Sequence, residues 1–240
     1  INPGQGKKMM RSTSFHQLLI CVLAFVANQA TAAVPPAPKF PADAYFLMDA
    51  TTGQVLVDHN GDLSLPPASL TKIMTSYVLA EEVDAGRASL DDMIKVSRNA
   101  WSQNPTFKGS SLMWIEPGKP VSLADLERGV VISSGNDASV AVAEHLAGTE
   151  SSFVDVMNQL AAELGLENTV YRNPHGLPHP EHRTTSRDLA TLSVALINGH
   201  PEHYRIYQEQ SFTYNGIKQY NRNSLLPVSY THLRAHETLL

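Results

Sequence analysis

The chain has 240 residues, is 42% hydrophobic and 17% charged, and carries a formal net charge of −5. This composition excludes a disordered or collagen-like chain, and it argues against a nucleic-acid surface, which needs clustered Lys and Arg to displace phosphate counterions. With no internal repeat visible, the size fits one domain with its own core, or a domain and a half.

Lys7, Lys8 and Arg11 precede an apolar run from Leu18 to Val26, and small residues follow in Asn28-Gln29-Ala30-Thr31-Ala32-Ala33. The pattern is that of an export signal over residues 1–32, cut after Ala32 or Ala33, with Ile1 to Lys8 as read-through ahead of Met9 or Met10. The apolar run is too short to span a bilayer, and no run of some 18 apolar residues follows it. Cys21, the one cysteine, lies inside the signal, so the processed chain cannot depend on a disulfide. A periplasmic location is the expectation. Residues 33–42, opening with Val34-Pro35-Pro36-Ala37-Pro38, read as an extended linker.

Residues 43–226 carry the candidate domain. A hairpin is expected from Ala44–Asp49 and Gln54–Asp58, turned through Ala50-Thr51-Thr52-Gly53. Helical signals dominate after it: Ser69 to about Asp84 with a stop at Gly86, a helix capped by Ser122 with Asp125 at the capping-box position, then Asp137–Ala147, Ser152–Leu164 and Ser186–Asn198, each followed by Gly. The visible order is two strands and then mostly helices. Glu81 and Glu82 read as a solvated helix face, and Trp101 and Trp114 as core or cleft-edge packing. The run Val228 to Thr238 resembles a translated sequencing adapter, so residues 227–240 are expected to be foreign to the fold.

The chemistry begins at Ser69-Leu70-Thr71-Lys72. A separation of three puts Ser69 and Lys72 on one helix face, where an amine can take the hydroxyl proton, and the helix N-terminus favours negative charge developing beside Ser69. Burial of so apolar a helix would lower the Lys72 pKa toward the neutral form that a base needs. Roughly one Ser-x-x-Lys arises by chance in a chain this long, so a capping Ser and a solvent-facing Lys are the competing reading. Ser-x-Asn occurs three times, as Ser97-Arg98-Asn99, Ser102-Gln103-Asn104 and Ser134-Gly135-Asn136. Only the last lies at a junction of two expected helices, with a Gly that lets the chain turn, and it is the one chosen; a helix cap for Asp137 onward is its competing reading.

Taken with Phe107-Lys108-Gly109-Ser110-Ser111-Leu112-Met113, His175-Gly176-Leu177 and Asn221-Arg222-Asn223, these motifs resemble the low-molecular-mass penicillin-binding proteins that act as serine-type D-alanyl-D-alanine carboxypeptidases. The resemblance runs in order from about Asp43 to Leu226. It implies an α/β fold of the β-lactamase/transpeptidase type, an antiparallel sheet flanked by helices plus a helical subdomain, with the later strands lying beyond position 226. It implies Ser69 as nucleophile on the carbonyl between two terminal D-Ala residues of a peptidoglycan stem peptide, Lys72 as base, Ser134 as proton relay and Asn136 as the group that binds the substrate's peptide amide. β-Lactams would acylate the same serine, and neither a metal nor an organic cofactor is required. The family's third motif, Lys-Thr-Gly or a close variant, is absent from the sequence; its expected place is shortly after Asn223. With only two strands visible, the chain alone is expected to fold poorly, and membrane attachment could come only from an anchor it does not contain.

Other readings are weaker. A serine β-lactamase wants Glu-x-x-Leu-Asn, and Glu163-Leu164-Gly165-Leu166-Glu167 fails at its last position. A D-Ala-D-Ala endopeptidase would use the same residues, and a non-catalytic penicillin-binding pseudoenzyme would keep Ser69 without turnover. His175, His179 and His182 lack an acidic or Cys fourth ligand spaced with them, so no metal site is read there.

Overall fold

A computed structural model describes residues 38–226; the export signal, the first part of the linker and the adapter-like run lie outside the described residues. Residues 38–43 are exposed and irregular. The first hairpin pairs β1 (Tyr45–Met48) antiparallel with β2 (Val55–His59), Tyr45 opposite His59 and Phe46 opposite Asp58. Its turn is built by Asp49, whose carboxylate accepts the Thr51 and Thr52 amides at 2.9 and 2.7 Å, and by Gly53 in the left-handed region at φ 72°.

The body is helical. A 3₁₀ turn (Ala68–Leu70) leads into α1 (Thr71–Asp84), which is apolar or buried on nearly every side and packs against four other helices. These are α2 (Leu123–Val131), α3 (Asn136–Ala147), α4 (Glu150–Glu163) and α5 (Ser186–Gly199), followed by the single turn α6 (Pro201–Tyr204). Ser122 caps α2 by accepting the Asp125 amide, as its position in the sequence implies, and Gly148 ends α3 at φ 79°. Two boundaries differ from expectation. Thr149, not Ser152, supplies the N-cap oxygen of α4, so that helix starts two residues earlier, and α5 continues through Gly199 to stop before Pro201. The core is made by side chains such as Met74, Leu79, Phe107, Leu126, Phe153, Tyr171 and Leu192, each with almost no exposed surface.

Four further strands correct the two-strand reading. β3 (Met93–Lys95) pairs with β4 (Pro120–Ser122), and β5 (Ser211–Tyr214) pairs with β6 (Ile217–Tyr220), so the described residues hold three separate two-stranded sheets. β3 and β4, three residues each and separated by 24, are too short to show alternation, whereas β5 and β6 are joined by the tight Asn215-Gly216 turn, a local hairpin signal that the helical reading passed over. Because the helices bury one another, the core does not wait on a sheet face.

One polar cluster runs from the surface into this helical body. Glu127 of α2, 1% exposed, meets His203 Nδ1 at 2.5 Å, while Asp84 of α1 lies 3.6 Å from His203 Nε2 and 2.6 Å from His200 Nδ1. Glu81 closes it by reaching His200 Nε2 at 3.2 Å, and Glu82 pairs with Arg87, so neither glutamate is simply solvated. The hydrogen bond to Glu127 raises the His203 pKa above its ordinary value near 6.5, against the opposing effect of burial. A raised folded-state pKa means that this contribution to stability is complete below the unfolded histidine value and fades as pH rises through the folded one. His203→Gln is therefore expected to lower stability by about 2 kcal/mol at roughly pH 5.5 and by less at about pH 8.5, measured by urea unfolding at both.

Candidate active site

The entry to α1 is held in a strained shape from outside. Ala68 has φ 47°, in the left-handed region that disfavours any residue with a Cβ, and Ser69 follows it exposed at the mouth of the 3₁₀ turn. Gly176, itself at φ 89°, lies directly against Ala68: a Cβ at position 176 would overlap the Ala68 carbonyl. Paired backbone bonds between Leu65 and Thr184, both 2.9 Å, tie down the approach to the turn. Thr71 is fixed in turn by His182, whose Nδ1 accepts the Arg172 amide, leaving Nε2–H to donate to Thr71 Oγ1 at 2.9 Å.

One turn further on, Lys72 is only 4% exposed. Its Nζ donates to Asn136 Oδ1 at 2.7 Å and to the His175 carbonyl at 2.6 Å. Burial, helped by the charge of Arg222 and opposed by Asp137, brings the Lys72 pKa down to about 7. A neutral amine has two N–H groups and one lone pair; both N–H groups are engaged here, which leaves the lone pair as the free function. Since an amine offers donors at this contact, the Asn136 amide must present its oxygen to Lys72, and its NH₂ stays available to donate elsewhere.

Asn136 is delivered by a tight turn between α2 and α3. Ser134 sits at φ 58°, 8% exposed, and its Oγ is buried without a hydrogen-bond partner among the described residues. Gly135 has the Met113 amide and an Asp137 oxygen 3.0 Å from where a Cβ would stand, so a side chain there would crowd both. Asp137 is fully buried and accepts four backbone amides, from Met113, Trp114, Ile115 and Ala138. Burial raises its pKa while those four donors pull it down. With the Asn136 amide bonded to the Ser111 carbonyl at 2.9 Å, the carboxylate laces the 111–115 segment onto the start of α3.

Of the sequence-derived residues, Lys72 and Asn136 meet directly, Ser134 lies two residues from Asn136, and Ser69 lies one turn before Lys72. The other Ser-x-Asn copies have structural duties instead: Asn99 donates to Glu144 and Glu150, and Asn104 caps the Pro105–Phe107 turn. Reasoning from residue types gave no role to the His175 carbonyl, Asp137, Gly176 or Arg222, which bonds Ser111 Oγ at 2.5 Å. The Asn-Asp and His-Gly pairs were visible, but a backbone carbonyl as ligand and a Gly needed for contact leave no signature of residue chemistry. His175 is a buried neutral ring, its pKa lowered to about 3 by burial and then by Lys72, and its Nδ1 accepts the Leu177 amide. Trp114 is not a core residue: it is 52% exposed.

A lysine buried one turn from a helix-entry serine and faced by a Ser-Gly-Asn turn is an arrangement capable of serine acyl transfer. The D-alanyl-D-alanine carboxypeptidase (peptidase S11) family model matches residues 28–238, and the chain belongs to that family. It is 47% identical over 209 residues to the D-alanyl-D-alanine carboxypeptidase DacC of Escherichia coli K12, covering 87% of this chain and 51% of that protein. Penicillin-binding protein 6B from Escherichia coli aligns with a TM-score of 0.79 and 46% identity, over 82% of this chain and 63% of that one. Penicillin-binding protein 5 from Haemophilus influenzae aligns with a TM-score of 0.78 and 44% identity, over 81% and 56%. The α/β transpeptidase-like fold class is thus established, and the chain spans about half the length of the curated relatives it matches.

The contact at Gly176 separates strain from flexibility. Gly176→Ala is expected to cost about 3 kcal/mol, because the Ala68 carbonyl must move, whereas Gly148→Ala, at similar φ but in open space, should cost about 1 kcal/mol; urea midpoints compare them.

Proposed function

We propose that the whole protein is an exported, periplasmic serine-type carboxypeptidase that removes the terminal D-Ala from peptidoglycan stem peptides and is acylated at Ser69 by β-lactams. The observation that carries this reading is the Lys72 clamp: a buried amine with both N–H groups committed to Asn136 and His175 and a pKa near 7.

Lys72 takes the Ser69 hydroxyl proton into its free lone pair as Oγ attacks the carbonyl between the two D-Ala residues. The positive end of α1 and of its leading turn favours the negative charge that develops on the substrate oxygen. Ser134, whose Oγ has no other partner among the described residues, passes a proton to the departing D-Ala amine. The free NH₂ of Asn136 donates to the carbonyl of the substrate's preceding peptide group and holds the scissile bond over Ser69. Water then releases the shortened peptide. Lys-Thr-Gly, to which the family resemblance assigns the grip on the terminal carboxylate, does not occur in this sequence, and the steps described here are those of acylation.

Two measurements on the full-length gene product test the reading. Ser69→Ala is expected to abolish both covalent labelling by penicillin and release of D-Ala from a pentapeptide; retention of either contradicts it. The acylation rate constant is expected to rise with pH through about 7 and then level off, as Lys72 gives up its proton. Lys72→Arg keeps the charge and removes the base, and should slow acylation by about 10³-fold at every pH.

A further inference from the structure

Neither tryptophan of the chain belongs to the core: Trp101 is half-buried and Trp114 is 52% exposed. Tryptophan is heavily buried on average, so two indoles left at the surface mark a place where something else can pack. The Ser102 amide donates to the Ile115 carbonyl at 3.0 Å, which sets the stretch carrying Trp101 beside the one carrying Trp114. Trp114 is also held in left-handed backbone, at φ 71°, with its amide and those of Met113 and Ile115 fixed by the Asp137 carboxylate. Strain of this kind persists only where the surroundings over-determine it, and it clusters at ligand clamps.

An open cavity of about 460 Å³ lies there, lined by Arg98, Trp101, Glu116 and Pro117. Neither the indole N–H of Trp101 nor the guanidinium of Arg98 has a partner among the described residues, whereas Glu116 pairs with Lys119. The wall thus offers a flat indole, a rigid pyrrolidine ring, unpaired N–H donors and a carboxylate acceptor. A pyranose ring is the complement: C–H bonds on its face pack on an aromatic plane, and hydroxyl and acetamido groups around its edge donate and accept. Glu116 disfavours an anionic polymer, and two charged residues among the four disfavour an alkyl chain.

We propose that this surface binds the polysaccharide strand of peptidoglycan, with an N-acetylated amino sugar on Trp101 and the next ring of the strand toward Trp114. The proposal rests on the carboxypeptidase reading and adds a contact with the polymer that carries the stem peptides. Its place fits that use. The 111–115 stretch that presents Trp114 also takes the Asn136 amide on its Ser111 carbonyl at 2.9 Å, so one backbone segment serves both the sugar and the peptide. Holding the strand raises the local concentration of stem peptides at Ser69 and leaves the chemistry there unchanged.

The test is isothermal titration of the full-length gene product, its serine first blocked with penicillin, with the β-1,4-linked tetramer of N-acetylglucosamine as probe. Saturable binding with a Kd of about 1 mM or tighter is expected. Trp101→Ala should weaken it at least about tenfold through loss of the stacking face, and Arg98→Gln about threefold through loss of an exposed charge-assisted hydrogen bond. Trp114→Gly suits the left-handed backbone and so keeps the fold, and it should weaken binding about threefold. It and Arg98→Gln carry the test if Trp101→Ala fails to fold. No saturable binding up to about 10 mM, or an affinity that survives these substitutions, overturns the sugar site and leaves the carboxypeptidase reading intact. Failure of penicillin to label Ser69 overturns the carboxypeptidase reading, and with it the role given to the site.

Discussion

A charged ammonium is costly to bury, and the site is organised around the way this chain buries one. Lys72 is enclosed by α1, the start of α3 and the His175 loop, and among the described residues its hydrogen-bond acceptors are two uncharged oxygens. Had a carboxylate stood at either position, the amine would have been held protonated and useless as a base. Asp137, the acid whose charge acts on Lys72, spends its oxygens on four backbone amides instead. The environment therefore accepts an amine but does not reward its charge, and the consequence is a pKa near neutrality.

The rest of the structure supplies the rigidity this requires. Asp137 fixes the 111–115 segment to the start of α3, and so fixes Asn136. Gly176 allows the His175 loop to approach the Ala68 carbonyl closely enough that the same loop both clamps Lys72 and holds the turn bearing Ser69. Of the five non-glycine residues in left-handed backbone among the described residues, two, Ala68 and Ser134, flank the candidate site, the others being Asn60, Trp114 and Asn215. Farther off, the His203–Glu127 pair and the capped helices hold the body together.

Legibility in the sequence followed the range of the interactions. Helices marked by a side-chain cap, such as α2, or by a following Gly, such as α3, could be placed from local pattern alone, as could the β1–β2 hairpin with its Asp49 turn. The Ser69 to Lys72 spacing was readable because one helical turn sets it. The choice of Ser134-Gly135-Asn136 over two decoys was readable only because it stood at a helix junction. What the sequence left hidden depended mostly on contacts across the chain: strands of three residues whose partners lie far away, a carbonyl 103 residues from the lysine it binds, and a glycine required by a neighbour as well as by its own φ. No periodicity or residue chemistry reports such contacts.

The central claim is that burial among neutral acceptors makes Lys72 a base at neutral pH, and the most direct test is an NMR titration of its Nζ in the folded protein. The account predicts a transition near pH 7. A Lys72 that stays protonated up to the ordinary lysine value of about 10.5 would contradict it.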